Sequence, residues 1–221
     1  MIPMRLILLA PPGAGKGTQS RILARRYDIP HIETGDMLRN AIQEDTTLGR
    51  KASRYITNGD LVPDDIMVKI VHERLEEPDC VNGFILDGFP RTVPQAEALE
   101  QGFEEWNLEL DAVVFLDVSD EIIFQRLENR RVCTDCGKTY HLEVKPPSND
   151  ERCDDCGNDL ARREDDTRES IQRRLEVYRE KTKPLLNFYR SRDLLVEVDG
   201  EQPIEDVAES IEQEFSEAAI K

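Results

Sequence analysis

Residues 5–18 read RLILLAPPGAGKGT. The opening RLILLA is an almost unbroken apolar run, the pattern of a strand buried on both faces of a parallel sheet. TQSRILARRYD (18–28) follows, with Ile22, Leu23 and Tyr27 at helical spacing. Between the two, Gly13, Gly15 and Gly17 let backbone amides turn inward. The helix start adds the positive end of its dipole, and Lys16 adds a full charge. A strand, a glycine loop and a helix in that order make a cradle for phosphate. The fit to the general phosphate-loop pattern is imperfect: Ala10 stands at the usual first glycine, and Gly17 at the usual Ser/Thr, with Thr18 one place later.

The same alternation continues outward. Short helices are expected over 35–45 and 48–57, and another opens at Pro63 and runs to Leu75. GFILDG (83–88) and AVVFLDV (112–118) read as strands, and 92–106 between them as a helix. Ser119 reads as the N-cap of a helix over 120–130. Residues 167–189 read as one long helix interrupted near Pro184, followed by a strand at 194–200 and a closing helix at 203–215. Repeated strand–helix units imply an α/β fold, a parallel sheet wrapped by helices. The one compositional break is at 129–166.

That break holds Cys133-x2-Cys136 and Cys153-x2-Cys156, four of the five cysteines. Four thiolates at this spacing close tetrahedrally around zinc, each pair on its own tight turn, and a shell of four sulfurs leaves no open position for substrate. The site is therefore expected to be structural. His31, His72 and His141 read as solvated or ring-packing residues, and Cys80 is given no role.

The net charge of −17, from 46 acidic and 29 basic residues, argues against a nucleic-acid surface. Only eight of the basic residues are lysines, and such an acidic, lysine-poor surface suits a high-salt cytoplasm. No apolar run approaches the roughly 20 residues of a membrane span, and the N-terminal run reads as a strand rather than a signal peptide. The expectation is a cytoplasmic protein without membrane or nucleic-acid partners.

Two further features suggest chemistry. LDGFPRT (86–92) ends an apolar strand in Asp87, where a carboxylate can orient a magnesium ion through water, with Arg91 close behind at the ligand-binding end of an open sheet. Arg39, Arg126, Arg130, Arg131, Arg163 and Arg174 offer planar, permanently charged forks for phosphate oxygens. Spacing alone does not separate that role from surface ion pairing.

Together, PPGAGKGTQ (11–19), HIETGDMLR (31–39), GDLVPD (59–64), NGFILDGFPRTVPQAE (82–97), ENRRVC (128–133), TYH (139–141), RREDD (162–166) and SIQRRLEVY (170–178) closely resemble the adenylate kinases, in the long form with a zinc-bearing lid. The resemblance covers nearly the whole chain. It implies a five-stranded parallel core from 1–32, 63–128 and 167–221, an AMP-binding helical segment at 33–62, and a lid at 129–166. It further implies Mg-dependent transfer, ATP + AMP to two ADP, by a monomer. Gly13, Ala14, Gly15, Lys16, Gly17 and Thr18 then match the ATP-phosphate loop, and Arg126, Arg130, Thr139, Tyr140 and Gln202 match further ATP contacts. Gln202 departs from the family's frequent Lys. Thr34, Arg39, Asp60, Leu61, Val62, Gly88, Phe89, Pro90, Arg91 and Gln95 match the AMP site, with Gln95 on the adenine edge. Arg163 and Arg174 match phosphate contacts that tighten on closure, and Asp87 a magnesium-water contact.

Overall fold

In the computed structural model, which describes residues 4–58, 62–149 and 151–218, the apolar runs become a parallel sheet. Its first four strands are β1 (Met4–Leu9), β2 (His31–Glu33), β3 (Gly83–Asp87) and β4 (Ala112–Asp117). The chain then leaves the sheet to form β5 (Arg130–Cys133), β6 (Thr139–His141) and β7 (Leu160–Ala161), a separate antiparallel sheet in the order β6-β5-β7. It returns with β8 (Leu195–Asp199), completing the order β2-β3-β1-β4-β8. The chain builds outward from β1 on one side through β3 and on the other through β4. The carboxyl end of β1 is thus a topological switch point, the place where open α/β sheets bind ligands.

The alternation of side chains along each strand decides where the helices pack. Ile7, Leu86 and Phe115 face one side of the sheet, over α2 (Thr34–Gln43), α4 (Asp64–Leu75), α5 (Val93–Glu105) and α8 (Pro184–Arg190). Leu6, Leu8, Ile85 and Val114 face the other, over α1 (Lys16–Tyr27), α6 (Asp120–Glu128), α7 (Arg168–Val177) and α9 (Ile204–Ala218). A further helix, α3 (Thr47–Asn58), lies against α2. Both faces of β1 are buried, as a continuous apolar run requires.

Three local expectations change. The short strand β2 was not distinguishable in the sequence, since three residues are too few to show a period. Ser119 sits at the N-cap position of α6, but its side chain makes no capping bond; its backbone N–H donates to Glu201 Oε1 at 2.8 Å instead. Helical structure through 168–190 survives Pro184, which lacks an N–H and whose ring would meet the carbonyl four residues back. The chain accommodates it with a widened π turn over Tyr178–Thr182, where Lys183 N–H donates to Tyr178 O at 2.8 Å. Thr182 in that turn donates to the Arg91 carbonyl at 2.9 Å.

Candidate active site

The glycine loop leaves β1 at Ala10 and enters α1 at Lys16. Gly13 has φ +83°, and a methyl group there would stand 2.7 Å from Leu127 Cγ, so the loop requires glycine for conformation and for space. Ala10 and Ala14 are buried beneath it; the methyl that replaces the usual first glycine is accommodated. Thr18 N–H donates to Gly15 O at 2.9 Å and begins the helix. The Lys16 ammonium folds back on the loop, donating to Ala10 O at 3.0 Å and Pro11 O at 3.3 Å. Burial pulls it down to about 8; Asp87 opposes that fall, while the charges of Arg91 and Arg174 add to it.

Arg126 spans from α6 to this loop, with Nη1 3.0 Å from Ala14 O and Nη2 2.9 Å from Gly200 O. It thereby brings the loop beside the turn that carries Gln202, whose amide approaches Asp199 Oδ2 at 3.4 Å.

On the other flank, the carboxyl ends of β2 and β3 meet. Thr34 is buried and its hydroxyl faces Asp87 O at 3.4 Å. Gly88 has φ +82°, and a methyl there would stand 3.0 Å from Arg91 Nη2 and 3.2 Å from Thr34 Oγ1. Phe89 is wholly buried and joined to Pro90 by a cis peptide. Arg91 Nε donates to Gly88 O at 2.7 Å, and Arg91 N–H to Gln95 Oε1 at 2.7 Å. The Gln95 amide donates to Asp64 Oδ1 at 2.7 Å, and Thr92 caps α5 by accepting from Gln95 N–H. Val62 is buried; Asp60 and Leu61 lie outside the described residues.

The arginines converge from three places, each held by carboxylates. Arg39 of α2 pairs with Glu33 at 3.0 Å and with Asp36. Arg130 of β5 makes a two-pronged pair with the fully buried Asp166, at 2.8 and 2.5 Å. Arg174 of α7 reaches Asp165 at 3.2 Å and Asp166 at 3.4 Å. The guanidiniums of Arg91, Arg163 and Arg174 are all pulled below their usual range, by burial first. Next comes a neighbouring cation: Arg174 for Arg91, and Arg130 for Arg163; for Arg174, Asp165 opposes the fall before Arg130 adds to it. Crowded, partly desolvated cations of this kind form a site for a polyanion. Sequence reasoning found these arginines but missed their counter-ions Glu33, Asp36, Asp165 and Asp166, because ion pairs such as Arg130–Asp166 join residues 36 apart. Glu33 itself is raised by burial and then by the charges of Asp87 and Asp36.

The second cluster lies in the small sheet. Cys133 and Cys156 sulfurs are 3.4 Å apart, and those of Cys136 and Cys153 are 3.5 Å apart. All four ligand atoms lie within 4.8 Å of one another. Sulfurs around a zinc ion stand about 3.8 Å apart, so the donor set fits. The two halves are built alike: Gly137 N–H donates to Cys133 O at 3.2 Å and Gly157 N–H to Cys153 O at 2.8 Å. Both glycines take positive φ, which closes the tight turns. Thr139 lies in β6 opposite Val132. Tyr140 is buried beneath the cluster, donating to Cys153 Sγ at 3.4 Å and accepting from Asp154 N–H at 2.7 Å. Its hydroxyl thus serves the Cys153 thiol and the turn that carries it.

The three histidines differ. His72 stacks on Trp106 with ring centroids 4.1 Å apart, and His141 accepts backbone N–H bonds from Glu143 and Val144, as ring-packing and local roles require. His31 departs from that expectation: its Nε2 lies 3.2 Å from Asp87 Oδ2.

Comparison with known proteins agrees with this layout. The family described as adenylate kinase matches residues 8–194. The adenylate kinase of Moorella thermoacetica is 54% identical over 201 residues, covering 91% of this chain and 93% of that protein. Those of Clostridium perfringens (strain 13 / Type A) and Archaeoglobus fulgidus are each 49% identical, both covering 95% of this chain and 96% of the relative. With its glycine loop at the switch point and this similarity along nearly its full length, the chain belongs to the adenylate kinase family, the nucleoside monophosphate kinases that catalyse ATP + AMP to two ADP.

Proposed function

We propose that the cleft at the carboxyl ends of β1, β2 and β3 binds ATP and AMP together and passes a phosphoryl group between them, serving adenine nucleotide homeostasis. The convergence of Lys16, Arg91, Arg163 and Arg174 on one cleft carries this reading, since phosphoryl transfer needs positioning and charge neutralisation more than covalent help. Gly13–Thr18 hold the ATP phosphates, with Lys16 on the transferring group. Arg126, with the Gln202 turn beside it, covers the ATP adenine, and Arg130 and the Thr139–Tyr140 backbone complete that side. Thr34, Arg39, the 60–62 stretch, Gly88–Arg91 and Gln95 hold AMP. The AMP phosphate is itself the nucleophile, so no side-chain base is required.

Arg39, Arg130 and Arg174 each pair with carboxylates. Substrate phosphates would compete for those forks, and closure of 129–166 over 33–62 and the core would bring Arg130 and Arg163 to the transferring group while excluding water. Asp87, buried at the end of β3 beside Gly17, presents a carboxylate fit to hold a magnesium ion's water. Magnesium bound with ATP neutralises charge on the phosphates. The Cys133, Cys136, Cys153 and Cys156 set would hold zinc and give the lid its shape.

We read the enzyme as a cytoplasmic monomer without nucleic-acid partners, in keeping with its charge of −17; among the described residues no helix is long and apolar enough to cross a membrane. A coupled assay with AMP, GMP, UMP and CMP tests the site assignment: turnover with AMP should exceed the others by at least about tenfold, a difference of about 1.4 kcal/mol. Equal turnover with another monophosphate would overturn the AMP assignment of Gln95.

A further inference from the structure

Three donors meet where β2 and β3 end: His31, the Arg39 partner Glu33, and Asp87. In the parallel pairing of β2 with β3, Glu33 lies opposite Asp87 and His31 opposite Ile85. Residues 31 and 33 share one face of their strand, because side chains alternate. His31 Nε2, a Glu33 oxygen and an Asp87 oxygen accordingly gather within 4.8 Å of one another. We propose that His31, Glu33 and Asp87 form a divalent-cation site that the protein holds before any nucleotide binds, and that Glu33 links this ion to Arg39.

The spacing suits such an ion. Oxygen ligands about 2.1 Å from an octahedral cation stand about 3 Å apart when adjacent and about 4.2 Å apart when opposite. The 3.2 Å between His31 Nε2 and Asp87 Oδ2 is an adjacent-ligand distance, and the 4.8 Å spread needs only small side-chain rotation. Space is available as well. A methyl at Gly17 would stand 3.5 Å from Asp87 Oδ2 and 3.6 Å from Glu33 Oε2, so both carboxylates face room left by a glycine of the phosphate loop. Lys16 balances them only at longer range: its charge is felt by Asp87 and Glu33, but its ammonium is turned to Ala10 O and Pro11 O. Arg21 Nη2, 3.8 Å from the same point, is the rival counter-ion. Two carboxylates and one imidazole form a mixed oxygen and nitrogen set that favours Mn2+ over Mg2+.

Glu33 divides its two oxygens. Oε1 accepts from Arg39 Nη2 at 3.0 Å, and Oε2 faces Gly17. A cation on Oε2 draws charge from the carboxylate and weakens its hold on Arg39, leaving Asp36 as the carboxylate that a monophosphate must displace. Cation and AMP then bind with positive coupling, and by linkage each strengthens the other equally.

This rests on the proposed placing of Asp87 beside the cation, and the test separates the two. Mn2+ is titrated into the zinc-loaded, nucleotide-free full chain in 0.2 M KCl, with free Mn2+ read by electron paramagnetic resonance. AMP affinity is measured with and without Mn2+, and circular dichroism checks the fold of every variant. One Mn2+ per chain is expected. Glu33→Gln and His31→Gln should each weaken it at least tenfold, Glu33→Asp should retain part of it, and Arg21→Gln should not weaken it. Mn2+ should tighten AMP binding several-fold in the wild type and not in Glu33→Gln. Absence of nucleotide-free Mn2+ binding, or wild-type affinity in Glu33→Gln, overturns the proposal. If Glu33→Gln is unchanged while Asp87→Asn loses Mn2+ in the presence of ATP, the reading of Asp87 stands and this one falls.

Discussion

Around the parallel sheet, Leu6, Ile7, Leu8, Ile85, Leu86 and Val113 have no exposed surface, and apolar clusters cover both faces. In the insert between β5 and β7 the buried apolar cluster is Cys133, Tyr140 and Cys153, with Leu160 packed against it. Two of those three are thiols. The core is held by removal of apolar surface from water, which is spread over many residues and holds the strands in one arrangement. The insert is too small for that, and a metal on its four thiols would supply a few directional bonds in place of a core. The difference suits the proposed division of labour: a rigid body carries the phosphate loop, while a small unit with its own internal brace delivers Arg130 and Arg163. Charge joins the two regions, because Asp166 at the end of the insert holds both Arg130 of β5 and Arg174 of α7.

The largest expected effect lies in the core. Lys16→Met should lower phosphotransfer by about 10³-fold with the fold intact, the scale set by removing one preorganised charge; near-normal turnover would end its assignment. The substitution should also stabilise. The folded ammonium titrates near 8, below its unfolded value of 10.5, so the unfolded chain holds more protons between those values and stability rises with pH across that window. Removing the buried charge should therefore add on the order of 3 kcal/mol at pH 7. Wild-type kcat/KM should fall as pH rises through about 8 and the free enzyme loses that charge.

Next comes the apolar side of the comparison. Leu86→Ala removes a fully buried side chain from β3 and should cost about 3 kcal/mol of global stability, read by denaturant unfolding, with hydrogen exchange in 129–166 unchanged below the global transition. The smallest effect belongs to the insert. Tyr140→Phe deletes the hydroxyl that donates to Cys153 and should weaken zinc about tenfold in competition with a chelator. Core unfolding should not move. A fall in core stability as large as that of Leu86→Ala would mean the two regions are one cooperative unit.

Much of this was legible in the chain because it is local. RLILLA, the glycine loop and the two Cys-x2-Cys turns each carry their reading within a few residues. The short strand β2 was not legible, and with it went the placement of His31 and Glu33 beside Asp87, a relation that only the β2–β3 register creates. The Asp166 partner of Arg130 was hidden by its separation of 36 residues, whereas Asp36, three residues before Arg39, lay within local reach. The inward placement of the Tyr140 side chain against Cys153 was also not legible; strand alternation over three residues gave no sign of which way it pointed.

Removing the metal tests the contrast between the two regions most directly. The zinc-loaded enzyme and a chelated sample, verified metal-free, are compared by thermal unfolding, by hydrogen exchange over 129–166, and by phosphotransfer from ATP to AMP. The core transition should stay in place, exchange protection in the insert should collapse, and turnover should fall at least about tenfold, 1.4 kcal/mol in the barrier. Full turnover with unchanged protection in the metal-free protein would contradict the account.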